Sequence, residues 1–207
     1  MGSPPPSLRL PFDIAAYDGA PITTERLVLR PLSASDVADV WEYQRLDEVL
    51  RFIPWPSRTA DEGADHTRTR AGMRTIAENG DAVFFACVLP GEPSLFGDGD
   101  GRVIGDVMLR LSDAGNADVE IGWVFHPDYA GRGFATEAAA AIMAVAFTAI
   151  DAHRVHAQLD PRNTASAALC ERLGMRHEGT TRETFYDKGE WSDSAFYGIL
   201  RSEFDAR

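Results

Sequence analysis

One stretch, Asp118 to Ala149, constrains the fold more than any other. It reads DVEIGWVFHPDYAGRGFATEAAAAIMAVAFTA, an alternating strand, a Gly-Arg-Gly turn and an Ala-rich helix in direct succession. Where a strand hands over to a helix through glycines, several backbone N–H groups stay unpaired and converge at the positive end of the helix dipole. Such a cradle binds anions, so a phosphate or pyrophosphate is the expected occupant.

The pattern on either side frames this unit. A half-buried strand is expected over Glu25 to Leu32, where Leu27 and Leu29 alternate with Arg26 and Arg30. Ser33 to Asp36 then offers capping residues for a helix that carries Val37, Val40, Trp41 and Gln44 at helical spacing. Phe52-Ile53-Pro54-Trp55-Pro56 breaks it, because two prolines cannot continue a helix. A polar helix follows from Thr59 to Asn79, with Asn79-Gly80 as its stop.

Ala82 to Leu89 and Arg102 to Leu111 read as strands. Between them, Asp98-Gly99-Asp100-Gly101 reads as a hairpin turn, because a calcium loop would need its glycine later and a closing glutamate. Asn116 to Phe125 is a strand, Gly133 to Ile150 a long helix and Arg154 to Leu159 a strand. A helix from Asn163 to Leu173, stopped by Gly174, precedes two last strands, Thr181 to Tyr186 and Trp191 to Leu200.

This order predicts an α/β chain of the α+β type: a central mixed, largely antiparallel sheet of about seven strands flanked by about four helices, with a strand–helix–strand crossover at the anion site. The Pro-rich, aperiodic residues 1–22 read as an irregular arm, and residues 23–207 as a single domain.

Composition narrows the partners. A formal net charge of −12 opposes general nucleic-acid binding, so attraction for a phosphate has to come from the helix terminus and Arg132. No apolar run reaches the ~20 residues of a bilayer span, so no membrane partner is expected. Met1 to Leu10 carries three prolines where a signal peptide needs an apolar stretch, and the expected location is cytoplasmic. Two cysteines outside any Cys-x-x-Cys pair, and five histidines without ligand spacing, give no reason to expect a metal.

A dinucleotide turn accounts for Gly131-Arg132-Gly133 and for Asp151 downstream, but not for Thr136 at the sixth position or for meander strands before it. A larger pattern fits better. Trp123-Val124-Phe125, His126-Pro127 and Ala130-Gly131-Arg132-Gly133-Phe134-Ala135-Thr136-Glu137-Ala138 are followed by Asn163-Thr164-Ala165-Ser166-Ala167-Ala168-Leu169-Cys170-Glu171-Arg172-Leu173-Gly174-Met175. With Thr23 to Pro31 near the start and Trp191-Ser192-Asp193 near the end, this order resembles the GNAT superfamily of N-acetyltransferases over about residues 23 to 204. It is most similar to the RimJ/RimL-like branch, the ribosomal-protein alanine N-acetyltransferases. Ala130 departs from the usual Gln or Arg, which removes a side-chain support and leaves the backbone cradle.

The resemblance implies acetyl-CoA as cosubstrate and acetyl transfer to a primary amine by direct attack in a ternary complex. A protein or peptide N-terminal α-amine is the leading acceptor; a small cationic amine, or a noncatalytic acyl-CoA sensor, are the alternatives. It implies that backbone groups of Trp123, Val124 and Phe125 hold the pantetheine arm, and that Gly131, Arg132, Gly133, Phe134, Ala135 and Thr136 hold the pyrophosphate. Asn163 lies beside the pantetheine amide. Ser166 is the expected acid toward the CoA thiolate, since Cys170 stands where many relatives carry a tyrosine. Glu120, on the face of Gly122 and Val124, is the candidate base, with water as the alternative because an α-amine of reference pKa about 7.7 to 8.0 needs little help. Trp55 and Tyr186 are the candidate acceptor contacts. A homodimer is a family-level expectation.

Overall fold

Residues 7–17, 19–95 and 101–207 are described by a computed structural model of the chain. The N-terminal arm is not wholly irregular: Phe12–Asp13 forms a short strand, β1, and Phe12 and Ile14 are buried in the core. Two apolar side chains in an aperiodic segment leave no pattern to read, so only their partner reveals them.

Ile22–Thr23 (β2) and Val28–Pro31 (β3) lead into a capped turn at Ser33, where Asp36 accepts the Ser33 N–H at 2.8 Å and holds Arg30 at 2.7 Å. Val37–Gln44 (α1) and Asp47–Leu50 (α2) follow. The Pro-containing loop ends at Thr59, which caps Ala60–Gly72 (α3) through a reciprocal bond with Glu62.

That helix stops seven residues before the expected Asn79, because Thr75–Ile76 leaves it as a strand, β4, paired antiparallel with β1. Ile76 is fully buried opposite Phe12, and this long-range pairing outweighs a local preference for helix.

The remaining elements are Ala82–Pro90 (β5), Gly101–Asp113 (β6), Asp118–Phe125 (β7), Phe134–Thr148 (α4), Arg154–Leu159 (β8), Thr164–Arg172 (α5), Arg176–Asp187 (β9), Glu190–Leu200 (β10) and Arg201–Phe204 (α6). Of the expected hairpin turn, Asp98, Gly99 and Asp100 lie outside the described residues. The main sheet runs β2-β3-β5-β6-β7-β8-β10-β9, eight strands where seven were expected, the addition being the two-residue β2. Every pair is antiparallel except β7 with β8, which the α4 crossover joins in parallel.

Strand alternation sends side chains into two cores. Phe85, Val107, Leu109, Val119 and Ile121 pack with Ala138, Ile142 and Val145 of α4. On the opposite face Phe84, Ala86, Val88 and Val103 pack with Val40, Tyr43 and Ala71 of α1 and α3. At about 25 cal/mol per Å² of apolar surface removed from water, these two layers hold the sheet between helices on both faces. No helix among the described residues is long and apolar enough to cross a membrane.

Candidate active site

The parallel pairing of β7 and β8 is short, running only from Asp118↔Arg154 to Glu120↔His156. Beyond it the strands part company. β7 stays with β6 through Trp123↔Val107 and Phe125↔Gly105, while β8 stays with β10 through Gln158↔Phe196 and Leu159↔Ala195. A wedge opens between them, and the β7 edge from Ile121 to Phe125 faces it without a β8 partner. Such an edge accepts an extended ligand as an added strand.

The N-terminus of α5 closes the wedge. Asn163 caps this helix by accepting the Ser166 N–H at 3.1 Å, and the Trp123 indole N–H donates to Ser166 Oγ at 3.3 Å. The hydroxyl therefore accepts from Trp123, leaving its own proton free to donate elsewhere. Cys170, one turn on, is buried, and burial pushes its thiol up to about 12, so it is inert at neutral pH.

The turn after β7 forms the expected cradle. Gly131 and Gly133 adopt φ of +72° and +83°, which L side chains rarely tolerate, and Gly133 starts α4. Among the described residues, no protein acceptor takes the N–H groups of residues 131–136; the first bond of the helix is Glu137 N–H to Gly133 C=O at 3.0 Å. The one carboxylate of this first turn is turned away. Glu137 accepts from Thr24 Oγ1 at 2.6 Å and from the Arg26 N–H at 2.8 Å, and despite opposing burial these bonds hold its carboxyl below the usual range. Arg132 lays its guanidinium over Phe134, 4.9 Å from the ring centroid, so its side chain stays outside the cleft wall.

This end of the site is a cleft of about 610 Å³, lined by Trp123 to Phe125, Gly131, Gly133 to Thr136, Asn163 and Ser166. Arg172 also lines it and donates to Thr136 Oγ1 at 3.2 Å. No sequence reasoning singled out Arg172; its signal was a basic residue in the last turn of α5, which usually serves only the helix dipole. The unpaired N–H groups, the open β7 edge and Arg172 together suit a ligand with a phosphorylated end and an extended amide arm, which is the build of an acyl-CoA.

The cleft narrows to a neck of about 220 Å³ that shares Trp123, Val124, Asn163 and Ser166 with it. Gly122 keeps the neck open: a Cβ there would stand 3.3 Å from Met108 Cε. Beyond lies a mouth of about 460 Å³ bounded by residues 51–55, β6, β8 and the β9–β10 hairpin. Glu120 lines both neck and mouth. Its Oε2 takes the Arg110 guanidinium, with Nε at 2.9 Å, and its Oε1 has no hydrogen-bond partner among the described residues.

Trp55 lines neck and mouth, edge-on to His66 at 4.9 Å and with the Arg70 guanidinium 5.5 Å from its centroid. Burial, then the charges of Arg70 and Arg58, lowers His66 to about 4. Arg70 is itself buried and donates to Asp106 at 2.8 Å, and the Tyr43 hydroxyl donates to the other Asp106 oxygen at 2.6 Å. Asp106 lines the neck; sequence reasoning missed it because a carboxylate in an apolar strand carries no spacing signal.

In the structure Tyr186 is set apart from these walls. It is 59% exposed and packs on Trp191 outside these cavities, while its neighbour Phe185 lines the mouth. Successive strand residues point to opposite faces, so only one of the two aromatic rings can enter. Glu183, in the irregular part of β9 at φ +49°, binds Asp193 through its N–H and is not part of the mouth wall either.

The sequence matches the family model described as Acetyltransferase (GNAT) domain over residues 26–176. It is 30% identical to Uncharacterized N-acetyltransferase YnaD of Bacillus subtilis (strain 168), over 89% of this chain and 99% of that protein. A crystal structure of a GNAT-family acetyltransferase from Bacillus anthracis superposes with a TM-score of 0.74 at 30% identity, covering 88% of this chain and 99% of that one. RimL, the ribosomal L7/L12 alpha-N-protein acetyltransferase solved with coenzyme A, shares the fold at TM-score 0.69 and 18% identity, over 86% of this chain and 95% of its own. A strand wedge, a glycine cradle and these matches converge: the chain is an acyltransferase and belongs to the GNAT acetyltransferase family.

Proposed function

We propose that the chain transfers the acetyl group of acetyl-CoA to the N-terminal α-amine of a peptide or protein in the cytoplasm, as a member of the RimJ/RimL-like branch. One observation carries the choice of acceptor. Five carboxylates line the mouth, Glu120, Asp160, Asp187, Glu190 and Asp193, and the first four already hold Arg110, Arg162, Lys188 and again Arg162. A polyamine site needs several carboxylates free for cations, whereas an α-amine brings one charge and loses it near neutral pH.

In this reading residues 131–136 and Arg172 anchor the phosphates, and the β7 edge aligns the arm so that the thioester reaches the neck. Acetyl-CoA supplies the activated acyl group there. Glu120 Oε1 orients the incoming ammonium and takes its proton, directly or through water. Ser166 gives its free proton to the departing sulfur, and the aromatic side chains of Phe52 and Trp55 wall the neck.

A panel of free-amine peptides, N-acetylated controls, lysine side chains and polyamines, assayed by CoA release, tests the proposal. Turnover of peptides with a free α-amine is expected. Turnover of spermidine with silence on every peptide would reject the acceptor assignment.

A further inference from the structure

Lys188 is the only lysine in the sequence; the other 19 of its 20 Lys and Arg residues are arginines. The other long basic side chains all end in a guanidinium, which stays protonated and is not nucleophilic toward a thioester. The one side-chain amine stands in the wall of the acceptor mouth, which it shares with Glu120.

The backbone there is built to present it. Lys188 and Gly189 form the tip of the β9–β10 hairpin with φ of +51° and +83°, a turn that favours Asn-Gly or Asp-Gly. A lysine in the left-handed region carries a conformational cost, so its side chain has to repay the position. Its Nζ donates to Leu50 C=O and Ile53 C=O at 2.7 Å each and stands 3.1 Å from Asp187. The hairpin is thereby latched to the segment that carries Phe52 and Trp55 across the mouth. Lys188 borders a cavity whose walls Trp55, Met108, Glu120, Gln158 and Leu159 continue into the neck beside Ser166.

We propose that Lys188 is an internal acceptor: the enzyme acetylates its own hairpin tip, and the modification releases the latch. This rests on the acetyl-CoA reading above. The neutral amine, having lost one proton to water, attacks the thioester carbonyl carbon. The C–N bond forms, the C–S bond breaks with its electron pair leaving on sulfur, the nitrogen loses a second proton, and the thiolate takes one up as CoA. The ammonium offered three N–H groups and a charge. The resulting amide offers one N–H and none, so the ion pair to Asp187 and at least one carbonyl bond are lost.

The test incubates the full chain with acetyl-CoA and no amine, follows intact mass and maps the modified peptide. Expected is a gain approaching one acetyl per chain at Lys188, saturable in acetyl-CoA, suppressed by excess CoA, independent of protein concentration and absent from Lys188→Arg. The acetylated enzyme should then differ from the unmodified one in KM for a peptide amine. An acetyl found only on the N-terminal α-amine, or a gain that is unsaturable and insensitive to CoA, overturns self-acetylation. Equal KM for the two forms overturns the latch. Peptide turnover without Lys188 modification rejects this inference and leaves the proposed function standing; modified Lys188 with a silent peptide panel does the reverse. Absence of acetyl-CoA binding rejects both.

Discussion

The two ends of the active-site trench are made in different ways. The cofactor end is drawn largely from one continuous run, Trp123 to Thr136, and its working groups are mostly backbone N–H and C=O. The acceptor end gathers side chains from residues 51–55, β6, β8, β9 and β10, and its charges are already paired with one another. Backbone chemistry is the same for every residue type, so Ala130 leaves the groups of the first end in place; side-chain chemistry is local, so in the proposed reading the second end sets the choice of acceptor.

That contrast can be broken by substitution. Gly133→Asp places a carboxylate at the helix start, at φ +83° and with its Cβ 3.3 Å from Arg26 Nη2. Acetyl-CoA binding measured by calorimetry should weaken by roughly 100-fold or more. An unchanged Kd would show that the cradle is not where the phosphates lie.

Ser166→Ala should lower kcat by about 100-fold while acetyl-CoA Kd holds steady, since a proton donor acts only in the transition state. Loss of binding instead would assign Ser166 to anchoring. Trp55→Ala should raise KM for the amine by about 10-fold without touching acetyl-CoA affinity. Parallel losses in both would mean that the two ends are not separable.

His66 extends the comparison to stability. Its folded pKa of about 4 lies below the reference of about 6.5, so between those values the unfolded chain binds the proton first. Stability is therefore full above about pH 6.5 and falls as pH drops toward 4, by about 1 kcal/mol once the half-exposed position is discounted. Urea midpoints for wild type and His66→Gln should converge on acidification. Parallel curves would remove His66 from the support of Trp55. The smallest effect belongs to Tyr186→Ala, expected to change kcat/KM by less than about 2-fold, whereas a large loss would return Tyr186 to the acceptor site.

The same divide explains what could be read in advance. The seven long strands and the longer helices followed from alternation, capping residues and glycines, because those signals act within a few residues. The cradle followed for the same reason. β1 and β4 did not, since two-residue strands have no period and exist only through Phe12 opposite Ile76. The Asp106–Arg70 pair did not either, because burial turns an ordinary carboxylate and guanidinium into a coupled unit only after α3 packs on the sheet. Nor could the sequence say which of Phe185 and Tyr186 faces the mouth, because neighbouring strand residues point to opposite faces and only the packing of the β9–β10 hairpin decides which face is inward.

Sequence alone therefore determined the order of the longer elements, the anion cradle and the family resemblance, all of which rest on local backbone geometry. The tertiary structure decided the parting of β7 from β8, the partners of Glu120 and Asp106, and the placing of Lys188 at the mouth. Those depend on which distant side chains share a low-dielectric cavity, and no spacing along the chain encodes that distance.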